Sequence, residues 1–526
     1  MNILKSLVNK SQDAEKSFEK LVNRKARYLL ILAQVASDRS LTPEKLDRAL
    51  LNQLYIAAFD LEEFLDAADA ITNRYWHSFR KSVAVVKIMS ATCVKLLHIR
   101  DNIKKYYLLD IEGDFNGETK SCIRLVRELL IKACVTLINE GKKREIAANV
   151  NALPESLTSE EVLFSYQLPV TRRVRHETSP RNTVVMLATE FLNLSESSGL
   201  LESSSIELSK KGLASLVPSV VSAENVRLLQ TRFHNMQSLY DTAVLGSDLP
   251  QQDKNLPVMR GHISIIYHLL EVLTAMVHYY QRHILSEPKV RLLSFIEKND
   301  ERSLIVIIGY AISYADRYRK VSRNLCQTML KKYVEKTSIS LTYPSYRGFH
   351  VRPSTLISKI VLHYGSEVKM KLYDQEYNAS LPLELFRANE ELNEHKRKQL
   401  VELVSKTKAF KALSAGEVLN LDKLKEFARA AFFELIEQKE LLVYEAAFNF
   451  IDIDEIKGED ALSFIKRLVA RYMAMGKIDG KLDLKLTFEG DKRVLEDIKI
   501  LAEHGYGEDL FGNNVVLPKE LAYLTR

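Results

Sequence analysis

Arg347-Gly348-Phe349-His350-Val351-Arg352-Pro353-Ser354-Thr355 is the stretch on which the reading of this chain turns. Before it, residues 337–343 alternate, with Ile339, Leu341 and Tyr343 on one face, the period of a strand. After it, Leu356, Ile357, Ile360 and Val361 fall on one face of a helix. A histidine therefore sits on a glycine-containing turn where a strand hands over to a helix. Pro353 falls in the first helical turn, where a missing N–H costs little. The N–H groups of Val351 and Arg352 are among the unpaired donors at that helix start, where the helix dipole concentrates positive charge. Open N–H groups beside an arginine make a place for a doubly charged oxyanion. Imidazole at the same spot is a nucleophile near neutral pH.

These residues resemble the phosphorylation site of HPr, the histidine phosphocarrier of the bacterial sugar phosphotransferase system. Gly348, His350, Arg352, Pro353 and Ser354-Thr355 match that family's pattern. Phe349 stands where an aliphatic residue is usual, and Val351 where Ser, Thr or Ala is usual. The resemblance implies that His350 accepts a phosphoryl group, with Gly348, Val351 and Arg352 binding its oxygens. Read without it, His350 is a turn histidine beside a capping arginine.

Residues 367–373 alternate with Val368, Met370 and Leu372 inward, a second strand; Asp374-Gln375 turns, and 376–379 form a short third strand. Residues 381–386 begin a short helix. This is the element order of HPr. In Gram-positive members the start of that helix carries a regulatory serine. Counting from His350 without gaps puts Leu381 there, and Ser380 one before it. Ser380 is therefore a candidate regulatory site or an N-cap. The family then passes directly to a fourth strand and last helix, whereas here residues 392–478 read as helices, at 395–408, 422–438 and 458–475. Alternation returns at Leu482, Leu484, Leu486 and Phe488, followed by a turn at 489–491 and a helix face at Val494, Leu495, Ile498 and Leu501. The expectation is an HPr-like unit of residues 336–392 interrupted by a helical insertion, 393–479, and closed by 480–526. The alternative is a truncated unit followed by a separate small domain.

Composition sets the frame. The 526 residues include 18 Gly and 12 Pro, low for the length, which favours long helices; 46% are hydrophobic and 27% charged, ordinary for a globular protein. A net charge of +7, with basic and acidic residues interleaved, does not point to nucleic acid. Cys93, Cys122, Cys134 and Cys326 are scattered in apolar, helix-like contexts without metal-ligand spacing, so a reduced, cytoplasmic protein with buried thiols is expected. Met1 to Lys5 has no signal-peptide apolar core. The apolar runs 263–280 and 303–315 read as buried helices; no membrane insertion is expected.

Residues 1–335 read as a helical region of one or two subdomains, the division falling near 145–182, where Pro154, Pro169 and Pro180 punctuate a linker carrying Arg172-Arg173-Val174-Arg175-His176. Thr42-Pro43 reads as a helix start. Trp76 reads as a packing anchor. Residues 112–123 imitate a calcium loop but place Ile123 where a bidentate Glu is needed, so a surface loop is expected. His268 and Glu271 share a helix face, a hint of a metal site, but the di-iron pattern needs Glu-x-x-His on two helices, so a structural role is expected. No Walker loop, dinucleotide fingerprint, internal repeat or basic recognition helix is present.

The chain reads as mainly α with a small α/β, HPr-like open-faced β-sandwich near the C-terminus. The resemblance implies a phosphocarrier or regulatory protein of a phosphoenolpyruvate-dependent relay, taking its phosphoryl group from a separate enzyme I-like donor and passing it to a protein acceptor, without metal or cofactor. The rival is a non-catalytic helical interaction or scaffold protein whose HPr-like domain only binds partners.

Overall fold

The computed structural model describes residues 2–38, 46–146, 179–197, 217, 221–285, 298–411, 420–444, 460–482 and 484–525. The chain divides into two compact units, Met1–Met329 and Leu330–Arg526. The linker cluster at 172–176 and the Thr42-Pro43 helix start lie outside the described residues.

The first unit is built of long helices: α1 (Asn2–Ala36), α2 (Arg48–Ala67), α3 (His77–Asn102), α4 (Phe115–Lys143), α5 (Pro180–Ser197), α6 (Ala223–Ala243), α7 (Asn255–Tyr280) and α8 (Lys298–Tyr333), the last running on to the second unit. Side-chain caps mark several starts: Asp47 accepts from the N–H of Leu50, and Asp114, in the loop that imitates a calcium site, accepts from that of Gly117. Helix α7 is buried nearly all round, from Leu256 to Tyr280. His77–Lys105 and Asn255–Leu285 are long and apolar enough to cross a membrane by length and composition, and most of each is buried inside the protein. All four cysteines are buried free thiols. Trp76 is 2% exposed, with Phe18 and Phe79 against its ring and the Arg144 guanidinium 5.7 Å from it. His268 Nδ1 lies 2.8 Å from Glu271 Oε2, and Lys95 lies 2.7 Å from Oε1. Burial raises the Glu271 carboxyl, but the hydrogen bonds from His268 and Lys95 outweigh it and hold the group below the usual carboxylate range. Among the described residues no three His, Cys, Asp or Glu side chains are arranged to hold a metal.

The second unit contains a four-stranded antiparallel sheet of β1 (Lys336–Thr342), β2 (Val368–Leu372), β3 (Gln375–Asn378) and β6 (Lys485–Asp491), in the order β1-β6-β2-β3. The strand nearest the C-terminus is thus central. Phe488 faces Ile339 on one side and Met370 on the other, and Leu486 faces Leu341. Alternation puts Leu486, Phe488, Val368, Met370 and Leu372 on the buried face. The other face is polar, with a 2.8 Å Lys371–Glu489 ion pair. Helices α9 (Val351–Tyr364) and α13 (Lys492–Glu503) pack on the buried face through Ile357, Ile360, Val494, Leu495 and Ile498. Full burial of a side chain such as Phe488 is worth about 1.5–3 kcal/mol. No separate turn divides β6 from α13: the strand runs to Asp491, whose carboxylate caps the helix by accepting from the N–H of Arg493.

Two expectations between residues 380 and 478 need correction. The short helix and the one expected at 395–408 are a single helix, α10 (Pro382–Lys406), about 37 Å long at 1.5 Å per residue. No Gly or Pro interrupts 383–406, so nothing in the backbone stops it. Its first half gives Leu385, Ala388 and Leu392 to the sheet's core; its second half gives Leu400 and Val404 to a separate core. That second core also holds α11 (Leu421–Glu437), α12 (Ala461–Ala474) and an unanticipated two-stranded ribbon, β4 (Leu441–Val443) with β5 (Ile478–Gly480). Secondly, Ser380 is not an N-cap. Leu381 occupies that position, and the Ser380 hydroxyl instead donates to Asn378 Oδ1 at 2.8 Å. Between the two cores lies a buried ion pair: Lys396 Nζ is 2.9 Å from both oxygens of Asp479 and 4.6 Å from the centre of the Tyr343 ring.

Candidate functional site

His350 is the N-cap of α9, with extended backbone (φ −78°, ψ −168°) and no side-chain capping bond. The helix begins at Val351, so Pro353 is its third residue, and the Ser354 N–H donates to His350 O at 3.2 Å. The N–H groups of Val351 and Arg352 have no acceptor among the described residues. Val351 is 68% exposed, which leaves its backbone approachable. Phe349 is fully buried, against Tyr506 at 6.1 Å between ring centres. It belongs to the core and adds nothing to a surface that a partner would meet. The larger ring fits because the chain after α13 folds back over it.

The turn before the histidine is held in an uncommon conformation. Arg347 and Gly348 both have positive φ, +52° and +63°. The left-handed region costs a non-glycine residue roughly 1–2 kcal/mol. Asn389, on α10, clamps this turn: its Oδ1 accepts from the Phe349 N–H at 2.8 Å and its Nδ2 donates to Arg347 O at 3.2 Å. A Cβ on Gly348 would lie 2.1 Å from Asn389 Oδ1, so the space as well as the dihedral requires glycine. Asn389 is 8% exposed and 39 positions beyond the histidine; no local pattern singles it out.

The inserted residues also reach this turn. The Arg347 guanidinium donates to Gly476 O at 2.6 Å and lies over the rings of Tyr346 and Tyr444, 5.2 and 5.9 Å from their centres. The Tyr444 hydroxyl is 3.4 Å from Ser345 O, Arg347 N and Asp479 Oδ2. Burial, with the Asp479 charge beside it, pushes that phenol well above its usual range. Tyr346 stands edge-on to His350, 5.5 Å between ring centres. The insertion therefore braces the strained side of the turn rather than merely looping away from the sheet.

The opposite side is closed by residues following α13. Tyr506, buried and at φ +59°, donates from its hydroxyl to Thr342 O at 2.6 Å, anchoring this segment to the end of β1. The next two residues meet the site. Gly507 O accepts from Arg352 Nε at 3.1 Å. Glu508, whose side chain is 8% exposed, places its carboxylate oxygens 3.0 and 3.3 Å from His350 Nε2. His350 Nδ1 faces Gly348 O at 3.1 Å, a carbonyl that already accepts the His350 backbone N–H. With Nε committed, Arg352 retains its terminal Nη pair, which can still grip two oxygens of a tetrahedral anion end-on.

Of the residues read from the sequence, Gly348, His350, Val351 and Arg352 are brought together at one helix start. Ser380 is not joined to them by any described contact; it precedes α10, and its carbonyl accepts from the Ser358 hydroxyl at 2.6 Å. Glu508, Gly507, Asn389, Tyr444 and Gly476 were not anticipated. The single local hint was Gly505-Tyr506-Gly507, a glycine-flanked turn directly after the last helix. No family model, curated protein or solved structure matches this chain.

Proposed function

We propose that the second unit carries a phosphoryl group on His350, as an HPr-like phosphocarrier or regulatory module. The observation that supports this most is the position of His350: an N-cap imidazole, with two open backbone N–H groups and the Arg352 guanidinium beside it. A dianionic phosphoryl group bonded to the ring would lie where the helix dipole and two N–H donors favour negative charge. Nothing in this arrangement requires a metal or a nucleotide. The element order also supports the reading. The strand that closes the sheet, β6, enters after a long insertion and pairs with β1 and β2, so 336–378 and 485–503 share one core. The donor is then an enzyme I-like phosphoprotein and the acceptor a second protein.

A second reading, a partner-binding module without phosphoryl chemistry, draws on the capped state of the site: Glu508 and Gly507 already engage His350 and Arg352, and the His350 side chain is 26% exposed. The test is incubation of the full chain with purified enzyme I and radiolabelled phosphoenolpyruvate. Acid-labile label that disappears in His350→Ala supports the carrier. Partner binding that is equal in wild type and His350→Ala, without label, supports the module.

A further inference from the structure

Both nitrogens of the His350 ring are shut against oxygen. Nε2 faces the Glu508 carboxylate at 3.0 and 3.3 Å, and Nδ1 faces Gly348 O at 3.1 Å. With a proton on each nitrogen the ring has no lone pair; with one proton, the remaining lone pair points into an oxygen. In neither state does the ring present a nucleophile to an incoming phosphorus atom. The carboxylate also puts a full negative charge where an anionic donor must approach, and its side chain is buried, so water screens it little. Among the described residues His350 is the only side chain that meets this carboxylate by a hydrogen bond or ion pair. Glu508 is thus committed to the ring, and Gly507 beside it to Arg352.

The segment that carries Glu508 closes on itself. The Val515 N–H donates to Gly507 O, the Asp509 N–H donates to Asn513 O, and Asp509 Oδ1 accepts from the N–H groups of Phe511 and Asn513. Glu508 and Asn514 form a bridge. The chain on either side is fixed: Tyr506 is buried with its hydroxyl on Thr342 O, and Leu521 and Leu524 lie in the sheet's core. Between Tyr506 and the hairpin stands Gly507, at φ +85°, without a side chain to resist a change of dihedral. The hairpin buries little apolar surface of its own: Leu510, Phe511 and Val516 are 63, 73 and 89% exposed. It is held down by Glu508 on His350, by Gly507 O on Arg352 Nε, and by Gly512 against Tyr346, whose ring stands edge-on to His350. A segment with so few buried apolar contacts opens at a small fraction of the cost of unfolding the core. We infer that the hairpin 507–515 is an autoinhibitory latch: closed, as here, it keeps His350 from attacking phosphorus, and it lifts away before transfer. This deepens the carrier reading and rests on it for its use. With the latch lifted, the ring turns about its side-chain bonds and one nitrogen lone pair forms the N–P bond. The bond from phosphorus to the donor breaks, its electron pair leaves with the donor, and the ring keeps the proton on its other nitrogen. A phosphoryl group on the ring then excludes the Glu508 carboxylate by like charge, so phosphorylation favours the open latch as much as opening favours phosphorylation.

The experiment labels the full chain with phosphoramidate, a small donor that brings no protein to lift the latch; attack breaks its P–N bond and releases ammonia. The first readout is the rate of acid-labile labelling that is absent in His350→Ala. Glu508→Ala removes the carboxylate from the ring. Gly512→Ala leaves Glu508 in place but puts a Cβ 2.5 Å from Tyr346 Cε1, at φ +82°, so that the hairpin cannot seat. Both variants are expected to label faster than wild type, Glu508→Ala by about 10- to 100-fold, the loss of one charge-assisted hydrogen bond from the closed state. Hydrogen exchange of peptides covering 507–515 is the second readout. It is expected to be faster in Gly512→Ala and in phosphorylated wild type than in unmodified wild type, with protection of Lys485–Asp491 unchanged, which shows that the fold is intact. A role of Glu508 in orienting the ring for attack predicts the opposite sign, slower labelling of Glu508→Ala. Slower or unchanged labelling in either variant, no label on His350 in any form, or unchanged exchange of 507–515 on phosphorylation overturns the latch. Failure of enzyme I to label a protein whose latch variants phosphoramidate labels faster defeats the carrier reading and leaves the latch standing.

Discussion

Gly348→Ala tests whether the histidine turn is held by the clamp described above. The substitution puts a Cβ 2.1 Å from Asn389 Oδ1 at a residue whose φ is +63°. Asn389 must move, and the Phe349 N–H loses its 2.8 Å acceptor in a buried place. The left-handed alanine costs roughly 1–2 kcal/mol and the unsatisfied buried N–H roughly 1–3 kcal/mol, about 2–5 kcal/mol together. Asn389→Ala alone removes the same acceptor and should cost about 1–3 kcal/mol. In the double variant the clash is gone and the bond is lost only once. The two changes should therefore fall short of additivity by about 1–3 kcal/mol. Hydrogen exchange of peptides covering the central strand Lys485–Asp491, in the regime where protection reports opening free energy, measures all four corners of the cycle. Additivity within about 0.5 kcal/mol would show that Gly348 and Asn389 act independently and would refute the clamp.

Further outcomes follow from other contacts. Arg352→Lys gives up both the Nε bond to Gly507 O and the planar Nη pair, so phosphoryl acceptance from enzyme I should slow about 10- to 150-fold, with His350→Ala abolishing it; an unchanged Arg352→Lys rate removes the arginine from the site. Lys396→Ala strands the buried Asp479 charge and should destabilise the inserted residues by about 3–5 kcal/mol, read as faster exchange of Ala461–Ala474, while Lys396→Met with Asp479→Leu should recover most of the loss; equal effects of the two variants would contradict this. Burial lowers His98 and His262 from their usual 6.5 to about 4 and His283 to about 3, aided for His98 by the His268 charge and for His283 by Lys81 and Arg80. The unfolded chain then binds more protons than the folded one from pH 6.5 down to about 4. The stabilisation these neutral rings provide is present above pH 6.5 and is lost as pH falls through that window. Fully buried His262 accounts for up to about 1.4 kcal/mol per pH unit. Trp76, the one tryptophan of the chain and a residue of the helical unit, reports this by fluorescence; a melting temperature that does not fall between pH 6.5 and 4 would count against it.

Much of the architecture is written locally. Period-two alternation in 337–343, 367–373 and 482–488 marks three strands because each presents one face to a single core, and helical spacing marks α9 and α13 for the same reason. The relation among Gly348, His350 and Arg352 is equally local: positive φ, the helix start and the neighbouring guanidinium all arise within five residues. Ser380 and α10 show where local reading goes wrong. Residues 381–386 and 395–408 read as two helices, yet the residues between them contain no backbone breaker, and the helix continues with its two halves held by different cores. What only the tertiary structure decided lies at long range in sequence. Asn389 clamps the turn from the far side of two strands, Tyr444 and Gly476 brace it from the insertion, and Glu508 meets His350 across 158 positions. None of these has a periodic or motif signature, because a single hydrogen-bonding side chain obeys no spacing rule. Its partner is chosen by where the sheet and helices carry it, and for Glu508 that choice followed from the pairing of β6 between β1 and β2 and the anchoring of Tyr506 on Thr342.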